Sequence, residues 1–201
     1  MIRVIVADDE NLIREALVSL LQLTADIDVV AQAADGDAAL AHARKLAPDV
    51  AVLDLQMPGR SGIAVAEALA SELPACRSII VTSHGLPGHL KNALSAGVRG
   101  FVPKTISGAR LAEVIRDIHA GGRYVDPQLA ADAIAAGDSP LTPREADVLV
   151  AAEDGAPIEE IARRASLSPG TVRNYLSAAM GKLHVATRHE AVRVARAKGW
   201  I

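Results

Sequence analysis

The chain has 201 residues, half of them hydrophobic but only 2% aromatic, with 21 Lys and Arg against 24 Asp and Glu for a formal net charge of −3. That length suffices for one large domain or two small ones with real cores, which excludes disorder, and so few aromatic rings leave no platform for stacking exposed bases. A single cysteine, Cys76, excludes an internal disulfide and any cysteine-built zinc or iron–sulfur site within one chain, and fits a cytosolic protein.

Residues 1–10 read as a strand, Ile2–Ala7, followed by the acids Asp8, Asp9 and Glu10, which is no signal peptide. Charges interrupt every apolar stretch before ~18 residues, so a soluble, cytoplasmic protein with no membrane partner is expected. Further apolar runs at 29–33, 50–55, 79–83 and 101–103 predict four more buried strands. Helical patterns lie between them: Leu12, Ala16 and Leu20 form the apolar face of the first, and Leu111, Val114, Ile115 and Ile118 that of the last. Such alternation predicts an α/β unit, a parallel sheet covered on both faces, with active groups at the carboxyl ends of the strands.

From Gly121 the pattern loosens into a linker, 121–139, holding one short Ala-rich helix at 128–136. Only helices follow. Thr142 with Pro143 and Glu145 predicts a capping box, Thr187 with Glu190 a second, and Ser168–Pro169 the start of another helix. The expected organisation is therefore 1–120, a linker at 121–139, and an all-α unit at 140–201. The three segments carry −3, −2 and +2, a basic end that permits nucleic-acid binding without proving it.

Asp8 and Asp9 follow the first strand and Asp54 ends the third, so a parallel sheet brings these carboxylates to one edge. End-of-strand acids are often helix caps or solvated loop residues, but converging acids repel, and a hard divalent ion such as Mg²⁺ would relieve them. Thr82 ends the fourth strand and Lys104 follows the fifth. A hydroxyl and an ammonium facing a metal-bound carboxylate make a phosphoryl pocket, with Asp54 as the nucleophile that would form an acyl phosphate. A haloacid-dehalogenase phosphatase would need a second acid two positions after that nucleophile, where Gln56 stands. Neither a G-x-x-x-x-G-K-[ST] loop nor a G-x-G-x-x-G occurs, so the phosphoryl group must come from outside.

Asp8-Asp9, Asp54 followed by Met57-Pro58-Gly59 and Gly62, Thr82, and Phe101-Val102-Pro103-Lys104 together resemble the receiver domain of bacterial two-component response regulators. The resemblance implies a five-stranded flavodoxin-like sheet in order 2-1-3-4-5. It implies that Asp54 takes a phosphoryl group from the phosphohistidine of a sensor histidine kinase, and that Asp8, Asp9, Asp54 and the Gln56 main-chain carbonyl arrange Mg²⁺. It also implies that Thr82, Phe101 and Lys104 read out the phosphate. Gln56 and His84, two positions after Asp54 and Thr82, are expected to tune how long the phosphate lasts.

In the second unit, helix 159–165, a tight turn and helix 169–183 make a helix-turn-helix pattern. Ile158, Ile161, Ala162, Val172, Leu176 and Leu183 form the packed faces, leaving Thr171, Arg173, Asn174, Ser177 and Lys182 outward. Those side chains suit base edges and phosphates, though a polar face is also what any solvated helix shows. Leu141-Thr142-Pro143-Arg144-Glu145, Ile161-Ala162, Leu167 through Tyr175, Lys182-Leu183, Arg188 and Ala191 resemble the LuxR-type DNA-binding domain, and with the receiver the chain is similar to the NarL/FixJ class. Arg173-Asn174-Tyr175-Leu176-Ser177 with Leu86-Pro87-Gly88 is similar to the subgroup that includes regulators of membrane-lipid desaturation. By the class likeness Arg173, Asn174 and Ser177 face bases or nearby phosphates, and Thr171 and Lys182 anchor the backbone of double-stranded promoter DNA. Gly181, inside the recognition helix, is expected to let its last turn bend or fray, because a mid-helix glycine costs ~1 kcal/mol relative to Ala.

A single small domain touches few base pairs, so a homodimer formed on phosphorylation is expected on two half-sites ~34 Å apart. The function that follows is a phosphorylation-controlled transcription factor rather than an enzyme. The competing expectation is a receiver that binds a protein partner through its helical unit.

Overall fold

The fold is described from a computed structural model, over residues 1–83, 85–136 and 139–201. The chain divides into two compact units, Met1–Gly85 with Lys91–Asp126, and Leu86–Leu90 with Pro127–Ile201. His84 and residues 137–138 of the expected linker lie outside the described residues.

From residue 2 to residue 125 the chain alternates β1 (Ile2–Ala7), α1 (Asn11–Gln22), β2 (Ile27–Ala33), α2 (Gly36–Leu46), β3 (Val50–Asp54), α3 (Gly62–Glu72), β4 (Arg77–Thr82), α4 (Pro87–Ser95), β5 (Gly100–Pro103), α5 (Gly108–His119) and β6 (Tyr124–Val125), all in the first unit except the start of α4. All strand pairs are parallel, in the order β2-β1-β3-β4-β5-β6. The flavodoxin-like order is present, and β6 adds a sixth strand to the five expected. It lies in the stretch read as linker, pairing Tyr124 with Gly100 and Val125 with Phe101. Two residues are too short to show a strand period, which is why the sequence pattern missed them.

Strand alternation divides the core. Val4, Val6, Val50, Val52, Ile79, Val81 and Val102 face α1 and α5, which bury Leu17, Val18, Leu21, Leu111, Val114, Ile115 and Ile118 against them. Ile5, Leu53, Ile80 and Phe101 alternate to the other face, on the side of α2 and α3. The α5 face matches expectation, but the α1 face does not: Leu12 is 78% exposed and Leu20 44%, while Leu17, Val18 and Leu21 are buried. Helix α1 carries two apolar stripes of similar spacing, and periodicity alone cannot say which meets the sheet.

The second unit holds α6 (Pro127–Ala136), α7 (Pro143–Ala151), α8 (Ile158–Arg164), α9 (Pro169–Leu183) and α10 (Arg188–Ala197). Leu141, Val148, Leu149, Ile161, Ala162, Val172, Leu176, Ala179, Ala191 and Ala195 form its core, with Tyr175, Leu183 and Trp200 packed on it half-buried. The Thr142–Glu145 capping box is complete. The second box is only half made: the Thr187 hydroxyl accepts from Glu190 N at 3.2 Å, but the Glu190 carboxylate accepts from Ala186 N instead of reaching Thr187 N. Helix α9 continues through Gly181 to Leu183 and closes on a left-handed His184, with no break at the glycine. Half-buried Met180 and Leu183 hold that last turn on the core, outweighing the propensity cost.

One glycine positions the functional edge. A Cβ on Gly62, in the first turn of α3, would stand 2.1 Å from the Asp54 carbonyl oxygen, a backbone atom that cannot swing away. Gly62→Ala is therefore expected to push α3 off the end of β3 and to lower unfolding free energy by about 1–3 kcal/mol in urea titrations. Wild-type stability in that variant would show that the close approach is unimportant.

Candidate functional site

The sheet register builds the site. Pairing of Ala7 with Leu53, Asp54 with Val81 and Thr82 with Pro103 ends β1, β3, β4 and β5 at one edge, so Asp8, Asp9, Asp54, Thr82 and Lys104 gather there. Asp8, Asp54 and Thr82 are buried, whereas Asp9 is exposed. One carboxylate oxygen from each of Asp8, Asp9 and Asp54 lies within 4.8 Å of the other two.

Lys104 Nζ stands 2.9 Å from Asp8 Oδ2 and 3.3 Å from Asp54 Oδ1, and donates to Glu10 Oε1 at 2.7 Å. The Asp8 Oδ2 contact is an ion pair without hydrogen-bond geometry, so this buried oxygen accepts no hydrogen bond. Its partner Oδ1 accepts from Glu10 N at 2.9 Å. A buried carboxylate oxygen whose neighbouring ammonium is shared with two other acids, flanked by two more carboxylates, belongs to the donor set that a hard divalent cation takes. The residues therefore fit a Mg²⁺-type ion.

Burial pushes the Asp54 carboxyl up to about 7; the Asp8 and Asp9 charges add to this, and Lys104 opposes it. Burial, then Asp8, also raises Asp9. Burial works against the Lys104 ammonium, but the Glu10 and Asp8 carboxylates and the Asp54 charge outweigh it and hold the group above the ordinary lysine range. The Lys104 main-chain N–H donates to the Thr82 carbonyl at 2.8 Å, tying the lysine's loop to β4. Phe101 is fully buried, and the Gln56 side chain is exposed.

Two contributors escaped the sequence reading. Arg14 Nη1 donates to the Asp8 carbonyl at 2.6 Å and Nη2 to Asn11 Oδ1 at 2.5 Å, clamping the loop that carries the acids. Nothing in the helical period marks it. Glu10 had a signal, being the third acid of a consecutive run.

In the helix-turn-helix, the Ser168 hydroxyl caps α9 by accepting from Thr171 N at 3.1 Å, and it lies 2.8 Å from Thr171 Oγ1. Arg173, Asn174 and Ser177 share one exposed face, with Arg173 Nη2 only loosely associated with Glu159 at 3.8 Å. Lys182 Nζ donates to Glu145 Oε2 at 2.7 Å, and Glu145 is buried. Burial disfavours the Glu145 carboxylate, but Lys182 and the Thr142 N–H more than compensate and lower its pKa. Arg163 and Arg164 are engaged by Glu160 and Asp154.

An acidic phosphoryl-type pocket joined to a helix-turn-helix defines a signal receiver with a DNA-binding output domain. Residues 4–116 match the response regulator receiver domain family, and residues 139–195 the family of bacterial regulatory proteins of the luxR type. The chain is 38% identical over 200 residues to the transcriptional regulatory protein DesR of Bacillus subtilis, covering 100% of this chain and 99% of that one. The receiver domain of the NarL response regulator from Mycobacterium tuberculosis superposes with TM-score 0.58 at 37% identity, covering 60% of this chain and 97% of that one. The response regulator RcsB in its DNA complex gives 0.62 at 25% identity over 98% of each chain. The chain belongs to the two-component response regulators of the NarL/FixJ class, DNA-binding regulators of transcription rather than enzymes. No helix among the described residues is long and apolar enough to cross a membrane.

The raised Asp54 pKa has a consequence for stability. Between the ordinary carboxyl value and about 7 the unfolded chain loses the proton that the folded chain keeps, so without a divalent cation folding stability falls as pH rises through that window and levels off above it. In chelator, Asp54→Asn is expected to melt higher than wild type, with a gap larger at pH 8 than at pH 5. A gap that is constant with pH, or reversed, would show that Asp54 ionises there without cost.

Proposed function

We propose that the protein is a phosphorylation-controlled transcription factor in which Asp54 accepts a phosphoryl group from the phosphohistidine of a sensor histidine kinase. The observation that carries this reading is the buried Asp54 facing Lys104 beside Asp8 and Asp9, in one chain with the exposed Arg173, Asn174 and Ser177 face.

In the transfer, an Asp54 carboxylate oxygen forms the new bond to phosphorus while the phosphorus–nitrogen bond breaks and its electron pair returns to the kinase imidazole. Asp54 must be ionised to attack, and Lys104 favours that form. Mg²⁺ held by Asp8, Asp9, Asp54 and the Gln56 carbonyl would neutralise the clustered acids and the phosphoryl oxygens. The Lys104 ammonium and the Thr82 hydroxyl then bond the oxygens of the acyl phosphate. Drawing Thr82 and Phe101 toward the pocket reshapes the face of α4, β5 and α5 and favours a homodimer. The dimer presents two copies of α9 to the major grooves of double-stranded promoter DNA in the cytoplasm. Arg173, Asn174 and Ser177 reach base edges or neighbouring phosphates, and Thr171 and Lys182 anchor the backbone. The RcsB structure, solved with DNA, supports this use of the helical unit. The Gln56 side chain, exposed beside the pocket, tunes phosphate lifetime.

The test is retention of pooled genomic promoter fragments by wild type and Asp54→Asn, with and without beryllofluoride and Mg²⁺. Enrichment that requires both the phosphate mimic and Asp54 is expected, and equal enrichment in all conditions would sever DNA binding from the pocket. Arg173→Ala is expected to weaken binding by about 1–3 kcal/mol with stability unchanged. Lys182→Ala should lower both binding and the melting temperature, since it strands Glu145. Unchanged DNA retention in Arg173→Ala, with an unchanged salt slope, would leave the helical unit as a protein-docking module.

A further inference from the structure

The shortest contact of Lys104 Nζ is not with the acids of the pocket. It lies 2.7 Å from Glu10, against 2.9 Å to Asp8 and 3.3 Å to Asp54. Glu10 occupies the N-cap position of α1, yet its side chain makes no capping hydrogen bond. Its carboxylate makes no hydrogen bond to the helix and is turned to the lysine, although its side chain is 59% exposed. Its main-chain N–H serves separately, holding Asp8 Oδ1.

We infer that Glu10 restrains Lys104 and so lowers the pocket's affinity for a phosphoryl group on Asp54, an inference that rests on the phosphoryl-accepting reading above. Two effects act in the same direction. The ammonium directs one of its three donors to Glu10, away from the phosphoryl oxygens it must bond. The Glu10 charge also adds to those of Asp8, Asp9 and Asp54, against which an incoming phosphoryl dianion must bind. Glu10 acts through Lys104 and is a positioning residue: it sets how much of the lysine's charge the resting pocket leaves available.

Glu10→Gln keeps the size and the main-chain bond to Asp8 while removing the charge. In the full-length protein at saturating Mg²⁺, it is expected to bind beryllofluoride about fivefold more tightly than wild type, the scale of one partly exposed ion pair. Its affinity for Mg²⁺ alone should be equal or weaker, because a negative charge near the cation is gone. Tighter beryllofluoride without tighter Mg²⁺ separates lost restraint from a damaged loop, which would weaken both ligands. Beryllofluoride affinity that is unchanged or weaker in Glu10→Gln overturns the inference, as does tightening of both ligands alike. Failure of wild type to bind beryllofluoride at all, or equal binding by Asp54→Asn, is a different result: it overturns the phosphoryl pocket itself and this inference with it.

Discussion

Uncompensated negative charge at the carboxyl edge of the sheet is the constraint on which the rest of the receiver depends. Asp8 and Asp54 are buried beside each other, Asp9 is close by, and Lys104 is the cation the structure shows among them. Burial first, and then the Asp8 and Asp9 charges against the opposing Lys104 ammonium, push the Asp54 carboxyl up to about 7. The same imbalance gives the pocket its chemistry. On the proposed reading, a divalent cation beside Asp54 would favour its ionised form, so acceptor strength and cation binding would be two sides of one electrostatic condition.

Holding such charges together needs a frame that does not yield. Strands buried on both faces supply it, and the close seat of Gly62 on the Asp54 carbonyl fixes where β3 ends. Main-chain bonds then link the pocket to the rest of the sheet. Lys104 N–H donates to the Thr82 carbonyl, Phe101 lies in the strand that leads to Lys104, and Asp126 N–H donates to the Phe101 carbonyl from the end of β6. If the pocket works as proposed, a shift of β5 that followed new contacts at Lys104 and Thr82 would be transmitted to the edge strand by these hydrogen bonds rather than by flexible side chains. The unexpected sixth strand has a physical meaning in this setting: it carries the frame up to residue 126, where the pattern of the sequence had already loosened.

Much of this was legible beforehand because strong local rules governed it. Continuous apolar runs gave the strands, and strand ends gave the convergence of Asp8, Asp54, Thr82 and Lys104. Elsewhere two local solutions had similar spacing, and only tertiary packing decided between them. The leucine stripe of α1 faces away from the core while Leu17, Val18 and Leu21 face it. The Thr187 box is half formed because Glu190 bonds Ala186 N instead. Lys182 is outward on the helical wheel, yet it reaches back 37 positions to Glu145, a partner that no helical period can disclose. Arg14 is hidden for the same reason, since its role is to bind a main-chain carbonyl.

The helical unit solves a different problem, offering a polar face without letting the helix that bears it move. Ser168 fixes the start of α9, Val172, Leu176 and Ala179 bury its inner side, and the Lys182–Glu145 pair ties its last turns to the capping box of α7. If the exposed side chains of α9 read DNA, as proposed, they lose little further entropy on an element so held, yet one short helix spans few base pairs. Useful affinity on that reading depends on a second copy, and control of the second copy would be control of the gene. A thousandfold change in dimerisation requires about 4 kcal/mol of differential stabilisation. On the proposed reading, the contacts that Thr82 and Lys104 would make with a phosphoryl group are of that order for two charge-assisted hydrogen bonds. The strength of such a switch would then be bounded by how much of Lys104 the resting pocket already uses. A lysine held tightly by its neighbouring acids before phosphorylation has that much less binding energy to gain from it.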